Sequence, residues 1–173
     1  KDKKVLSIYF TCGYPELNDT TKVISALENS GVDFIEVGLP YSDPLADGPT
    51  IQESSHKALE KGINLDTIFE QLKTIKETNK TPLIAMGYLN QLLKYGEDKF
   101  CQACIDSGID TVILPDLPMV EFENHYQKLF DKYGLTNVFL ITPHTSEERI
   151  RKIDSYSKAF IYVVASSSIT GAK

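Results

Sequence analysis

An α/β fold of repeated βα units on a parallel sheet is what this 173-residue sequence predicts, on three observations. Short apolar runs alternate with longer amphipathic segments along the chain. The short runs lack the polar alternation of a half-solvated sheet, which suits strands buried on both faces. Two of the units also resemble each other: Ser30-Gly31-Val32-Asp33 leads into Phe34-Ile35-Glu36-Val37 much as Ser107-Gly108-Ile109-Asp110 leads into Thr111-Val112-Ile113-Leu114. Equivalent modules favour a (β/α)8 TIM barrel. No G-x-G-x-x-G follows the first strand and no G-x-x-x-x-G-K-[ST] occurs, so nucleotide-binding open sheets lose their signature. Six strands can be read, about six of the eight βα units of a barrel, in a single incomplete domain over residues 1–173. A six-stranded open sheet is the alternative that this length would also fit.

The strands are expected at residues 5–10, 34–38, 82–87, 111–115, 137–142 and 159–164. Ile68, Phe69, Leu72 and Ile75 form an apolar stripe at helical spacing, and Phe122, Tyr126, Leu129, Phe130 and Tyr133 form another. Thr145, with Glu148 three residues on, reads as a capping box opening the helix that carries Ile150 and Ile153. Gly31, Gly62, Gly108 and Gly134 each close a periodic segment.

Charge and composition narrow the function. Lys+Arg is 18 against 24 Asp+Glu, a net charge of -6 without a basic cluster. That argues against nucleic acid or an anionic membrane as partner, since phosphate neutralisation needs grouped cations. No apolar run approaches the roughly 18 residues of a membrane helix, and the stretch 5–10 is too short for a signal-peptide core. A cytoplasmic protein is expected. Three cysteines do not make a disulfide framework. Cys101 and Cys104 form a C-x-x-C in a helical stretch with Phe100 and Ile105, which favours core thiols over zinc. His56, His125 and His144 are too scattered to ligate a metal, so none is expected. No strand has an internal Lys for a Schiff base, and no G-x-S-x-G surrounds a serine.

Glu36 is the most informative residue. Alternation puts Phe34, Glu36 and Gly38 on one face of the second strand, which in a barrel is the interior. An unpartnered buried carboxylate costs several kcal/mol, and desolvation disfavours its charged form, which suits general acid–base work. A structural carboxylate paired with a buried Lys, Arg or Tyr is the competing reading. The loop that follows holds Asp43, Asp47 and three prolines, Pro40, Pro44 and Pro49, at the strand end where barrel active sites are built. It fails as a calcium loop, because Leu45 and Ser54 occupy ligand positions. Asx turns are the bland role for either Asp. Asp116 reads first as a cap, Tyr88 and Asn90 as substrate contacts or loop packing, and Ser166, Ser167, Ser168, Thr170 and Gly171 as a lid or an uninformative terminus.

The stretch Glu36-Val37-Gly38-Leu39-Pro40-Tyr41-Ser42-Asp43-Pro44-Leu45-Ala46-Asp47-Gly48-Pro49-Thr50-Ile51-Gln52 resembles the signature of the tryptophan synthase alpha chain family. The resemblance extends to Thr11-Cys12-Gly13-Tyr14-Pro15, Met86-Gly87-Tyr88-Leu89-Asn90, Asp116-Leu117-Pro118 and Ile169-Thr170-Gly171-Ala172, in similar order and spacing. It implies a barrel that cleaves indole-3-glycerol phosphate into indole and glyceraldehyde 3-phosphate, a retro-aldol reaction with no metal and no cofactor in this chain. By the same resemblance Glu36 is the acid–base carboxylate, and Asp47 stabilises the indolenine-like cation through the indole N–H. Tyr9, Tyr88 and Ile113 fall where the family lines its indole pocket, Tyr162 matches an active-site tyrosine, and Thr170, with Gly171, matches the lid. Pro40, Asp43 and Pro44 fall on the loop that meets a pyridoxal phosphate (PLP)-containing beta subunit in an alpha2beta2 heterotetramer, to which indole passes.

Ser168 stands where the family's lid usually has Gly. The resemblance also implies glycine-rich phosphate-binding turns after a seventh and an eighth strand, and a short N-terminal helix, so the sequence is expected to be part of a longer protein. A non-catalytic, partner-activating subunit or fragment and another phosphate-binding barrel enzyme are the competing functions.

Overall fold

The computed structural model describes residues 4–45 and 47–164. Six parallel strands pair in chain order: β1 (Ser7–Thr11), β2 (Phe34–Gly38), β3 (Leu83–Met86), β4 (Ile109–Ile113), β5 (Thr136–Ile141) and β6 (Ile161–Val163). The crossovers carry α1 (Thr20–Asn29), α2 (Pro49–Glu60), α3 (Leu65–Ile75), α4 (Leu89–Tyr95), α5 (Glu97–Asp106), α6 (Met119–Glu121), α7 (Gln127–Tyr133) and α8 (Glu147–Tyr156). Successive parallel neighbours joined by crossovers of one hand place all the helices on the same face of the sheet. The other face curls on itself. Phe34 of β2 and Phe160, beside β6, have ring centroids 6.1 Å apart, whereas four strand spacings on a flat sheet would separate them by about 19 Å. This is part of a barrel, and the open-sheet alternative falls.

Two apolar layers follow from strand alternation. Outside the sheet, Ile35, Val37 and Val112 share one core with Ile24 of α1, Phe69 and Leu72 of α3, Phe100 of α5, Phe130 of α7 and Ile153 of α8. Each such side chain, once buried, contributes roughly 1.5–3 kcal/mol. Inside lies a smaller cluster of Ile84, Ile113 and Val138, with Phe34, Met86, Leu140, Phe160 and Tyr162 packed against it. Cys101 and Cys104 are buried in α5, as core thiols should be. Desolvation pushes the Cys101 thiol up to about 12, so it stays protonated and unreactive.

Local chemistry shifts some boundaries. Ser146, not Thr145, caps α8: its side chain accepts from the Arg149 N–H at 3.3 Å. Thr145 Oγ1 is occupied one turn earlier, accepting from the Thr142 N–H at 2.8 Å. The stripe from Phe122 begins with a π-helical turn, Phe122–Tyr126, which keeps both of those aromatic residues buried before α7 resumes α-helical geometry. β4 starts at Ile109, two residues before the expected strand, because Gly108 turns the chain at φ +79° directly into it. Among the described residues, no helix is long and apolar enough to cross a membrane.

Candidate active site

The site grows from the register of β1, β2 and β3. Glu36 pairs level with Tyr9 on β1 and Ile84 on β3. It is only 5% exposed. Its Oε1 accepts a hydrogen bond from Ser7 Oγ at 2.6 Å. Among the described residues no Lys or Arg forms an ion pair with it. Ile113 is fully buried in the inner cluster. It lies level with Met86, and through Met86 with Gly38, whereas Glu36 lies level with Ile84 and Thr111. Positions equivalent in the sequence repeat therefore sit at different heights, as the stagger of a barrel requires.

Tyr9 lies across Gly38. A Cβ at position 38 would stand 2.6 Å from Tyr9 Cε2 and closer still to Cζ and Oη. Burial pushes the Tyr9 phenol up to about 12, against the hydrogen bond with Thr11; the charges of Asp47 and Glu36 add to the rise. Gly38→Ala is therefore expected to displace Tyr9, at about 1–3 kcal/mol of stability. Urea denaturation measures that loss, and Gly38→Ala should cost much less in a Tyr9→Ala background than in wild type, because the clashing ring is then gone.

At the C-terminal rim, Asp47 is half-buried and accepts from Tyr88 Oη at 2.9 Å. Burial holds its carboxyl above the ordinary range, and the Tyr88 bond works against that rise. The loop carrying it is tied to α2, where Gln52 Nε2 donates to the Asp47 carbonyl at 2.8 Å. Tyr88 packs on Tyr41, with ring centroids 4.9 Å apart, and Asn90 Nδ2 donates to Tyr41 Oη at 2.7 Å. Asp116 takes the capping role: both of its oxygens accept from the Leu89 N–H, at 2.9 and 3.1 Å, at the start of α4. Tyr162 is half-buried, and burial, then the charge of Glu36, raises its phenol. Glu36, Asp47, Tyr9, Tyr88, Ile113 and Tyr162 thus belong to the inner face and its rim. Thr170 and Gly171 lie outside the described residues. On the loop after β2, Asp43 is exposed and accepts from Ser42 Oγ at 2.7 Å, Pro44 is half-buried, and Pro40 is buried. Only the first two offer surface.

Gln91 and Ser7 were not singled out from the sequence. Gln91 is buried in α4; its Oε1 accepts from the Tyr88 N–H at 2.9 Å and its Nε2 donates to the Pro40 carbonyl at 2.8 Å. One side chain so joins the loop after β2 to the rim tyrosine. A Gln three residues into a helix start is the sequence signal that could have found it. Gln91→Ala strands two backbone groups, each costing about 1–3 kcal/mol when buried and unpaired. A clear drop in thermal midpoint is expected, with Gln91→Glu, which keeps only the acceptor, falling between.

Together these residues can pass a proton to and from a desolvated carboxyl group and hold a second carboxylate toward a developing positive charge. Among the described residues, no group of three His, Cys, Asp or Glu side chains could hold a metal ion.

The chain matches the family described as "Tryptophan synthase alpha chain" over residues 1–173. It is 60% identical to the tryptophan synthase alpha chain of Flavobacterium psychrophilum over 172 residues, 99% of this chain and 68% of that one. To the Bacteroides thetaiotaomicron alpha chain it is 48% identical, covering 99% of this chain and 67% of the relative. Among solved structures, tryptophan synthase subunit alpha from Legionella pneumophila superposes with a TM-score of 0.89 at 38% identity, over 94% of this chain and 62% of that one. A Mycobacterium tuberculosis tryptophan synthase structure gives 0.89 at 32% identity, over 98% and 65%. The chain spans about two thirds of the length of these proteins.

Proposed function

The chain belongs to the tryptophan synthase alpha chain family, and from that premise we propose that the protein cleaves indole-3-glycerol phosphate to indole and glyceraldehyde 3-phosphate. The observation that carries this reading is a desolvated carboxylate, Glu36, on the inner face beneath a rim that holds a second carboxylate on a phenol. Glu36 as acid gives a proton to the ring carbon bearing the glycerol chain, and the ring becomes an indolenine-like cation. Asp47 accepts the indole N–H and stabilises that charge. Glu36, now ionised, takes the proton of the adjacent glycerol hydroxyl while the carbon–carbon bond breaks. The bonding pair returns to the ring, the hydroxyl carbon becomes the aldehyde, and Glu36 ends protonated as it began. Ile113, Tyr9 and Tyr88 supply an apolar, aromatic wall for the indole.

The reaction uses no cofactor on this chain. PLP is carried by the beta subunit, which meets the loop bearing Pro40, Asp43 and Pro44 in an alpha2beta2 complex and receives the indole. Thr170 and Gly171 act at the lid, and the protein works in the cytoplasm. Indole release from indole-3-glycerol phosphate by the protein, with and without the beta subunit, tests the reading. Indole in both, faster with the partner, is the expected result; no indole in either ends the proposal.

A further inference from the structure

We infer that Ser7 is a positioning residue for the proton transfer, holding the Glu36 carboxylate by one oxygen from the adjacent strand. The inference rests on the lyase reading of Glu36. Tyr9 is the strand-β1 partner of Glu36, and Ser7 lies two residues earlier on the same face, level with Phe34. Its Oγ donates to Glu36 Oε1 at 2.6 Å, at the short end of the O–H···O range. Asp47 and Tyr88 stand beyond the opposite, C-terminal ends of the strands. The serine therefore grips the carboxylate from the side away from the rim.

One further observation makes that grip matter. The groups around Glu36 on the inner face are apolar or aromatic: Ile84 is its partner on β3, and Phe34 and Tyr162 belong to the inner cluster. A neutral hydroxyl is then the means by which the fold steadies the ionised form without a permanent cation, which would take the proton-transfer role away. A single-bond carboxyl rotor in such a setting would otherwise sample several orientations, and a displacement of about 1 Å at a reacting group can cost on the order of 100-fold in rate. Val, Ile or Ala would suit a strand position facing an apolar interior equally well as far as packing goes. The hydroxyl is what the carboxylate needs.

The test uses the protein in complex with its beta subunit and compares Ser7→Thr with Ser7→Val, which share β-branched shape and differ in the hydroxyl. Ser7→Thr should retain most of the wild-type kcat. Ser7→Val should lose about tenfold, as expected for a hydrogen bond to a charged group, with KM for indole-3-glycerol phosphate within about twofold, since Ser7 does not touch the substrate. Ser7→Ala reports the same comparison without added bulk, should the branched variants melt early. Equal kcat in Ser7→Thr and Ser7→Val, or in Ser7→Ala and wild type, would overturn the inference, as would a loss in Ser7→Val that falls on KM rather than kcat. A wild-type protein that releases no indole would instead remove the lyase reading itself.

Discussion

Glu36→Gln is expected to reduce indole release from indole-3-glycerol phosphate by about 100- to 10,000-fold, the range general acid–base groups supply. The amide is close to isosteric and can still accept from Ser7 Oγ, so the bond at 2.6 Å has a replacement partner. Burial of the residue at 5% exposure favours the neutral amide over an ion. The fold should thus be as stable as wild type or more so, and activation of the beta subunit should persist. That dissociation is the informative part. A protein that only activates a partner would lose nothing on this substitution, whereas an acid–base catalyst loses turnover with its shape intact. Steady-state indole release, run beside thermal denaturation and a beta-subunit activity assay, separates the two.

The architecture was largely legible because its signals are local. β2 occupies Phe34–Gly38 as expected, since a short apolar run ending in glycine leaves little choice. All six expected strands exist, and Gly31, Gly62, Gly108 and Gly134 all take positive φ at helix ends. What shifted was decided by hydrogen-bond competition. Thr145 is claimed by Thr142, so the cap passes to Ser146. Residues 114 and 115 cannot extend β4, whose last ladder partner is Ile113 opposite Met86 and Val138.

The placement of the candidate residues was legible in the sequence, and their contacts were not. Alternation alone places Glu36 inside, and the loop position alone puts Asp47 at the rim. That Tyr88, 41 residues away from it, holds Asp47, or that Ser7 holds Glu36 across 29 residues, depends on strand register. Apolar patterning fixes which face a residue takes but not how far one strand slides along the next, except in steps of two. The repeat illustrates this: Ile113 matches Glu36 in sequence yet pairs one level higher, and the register shift between Leu83 and Ile84 is part of the cause. Gln91 escaped for a related reason, because its value lies in reaching Pro40 from a different βα unit.

Asp47→Asn should cost about 100- to 1,000-fold in kcat, the scale of removing one preorganised electrostatic contact to a charged intermediate. Burial raises the Asp47 carboxyl above its ordinary range, which fixes the sign of two further effects. In the proposed reaction Asp47 acts in its ionised form, so wild-type activity is expected to fall as pH drops through that raised value, earlier than an exposed aspartate would dictate. Tyr88→Phe removes the bond that lowers it, and the acidic limb of kcat should therefore move to still higher pH while the alkaline side keeps most of its rate. Stability runs the other way. A carboxyl whose folded-state pKa is raised favours the fold fully below its unfolded pKa and loses that contribution as pH rises through the folded value. Near neutral pH the ionised Asp47 is then a cost, and Asp47→Asn should melt at or above the wild-type temperature despite its lost turnover. A variant that lost turnover and stability together near neutral pH would mean that Asp47 serves the loop rather than the reaction.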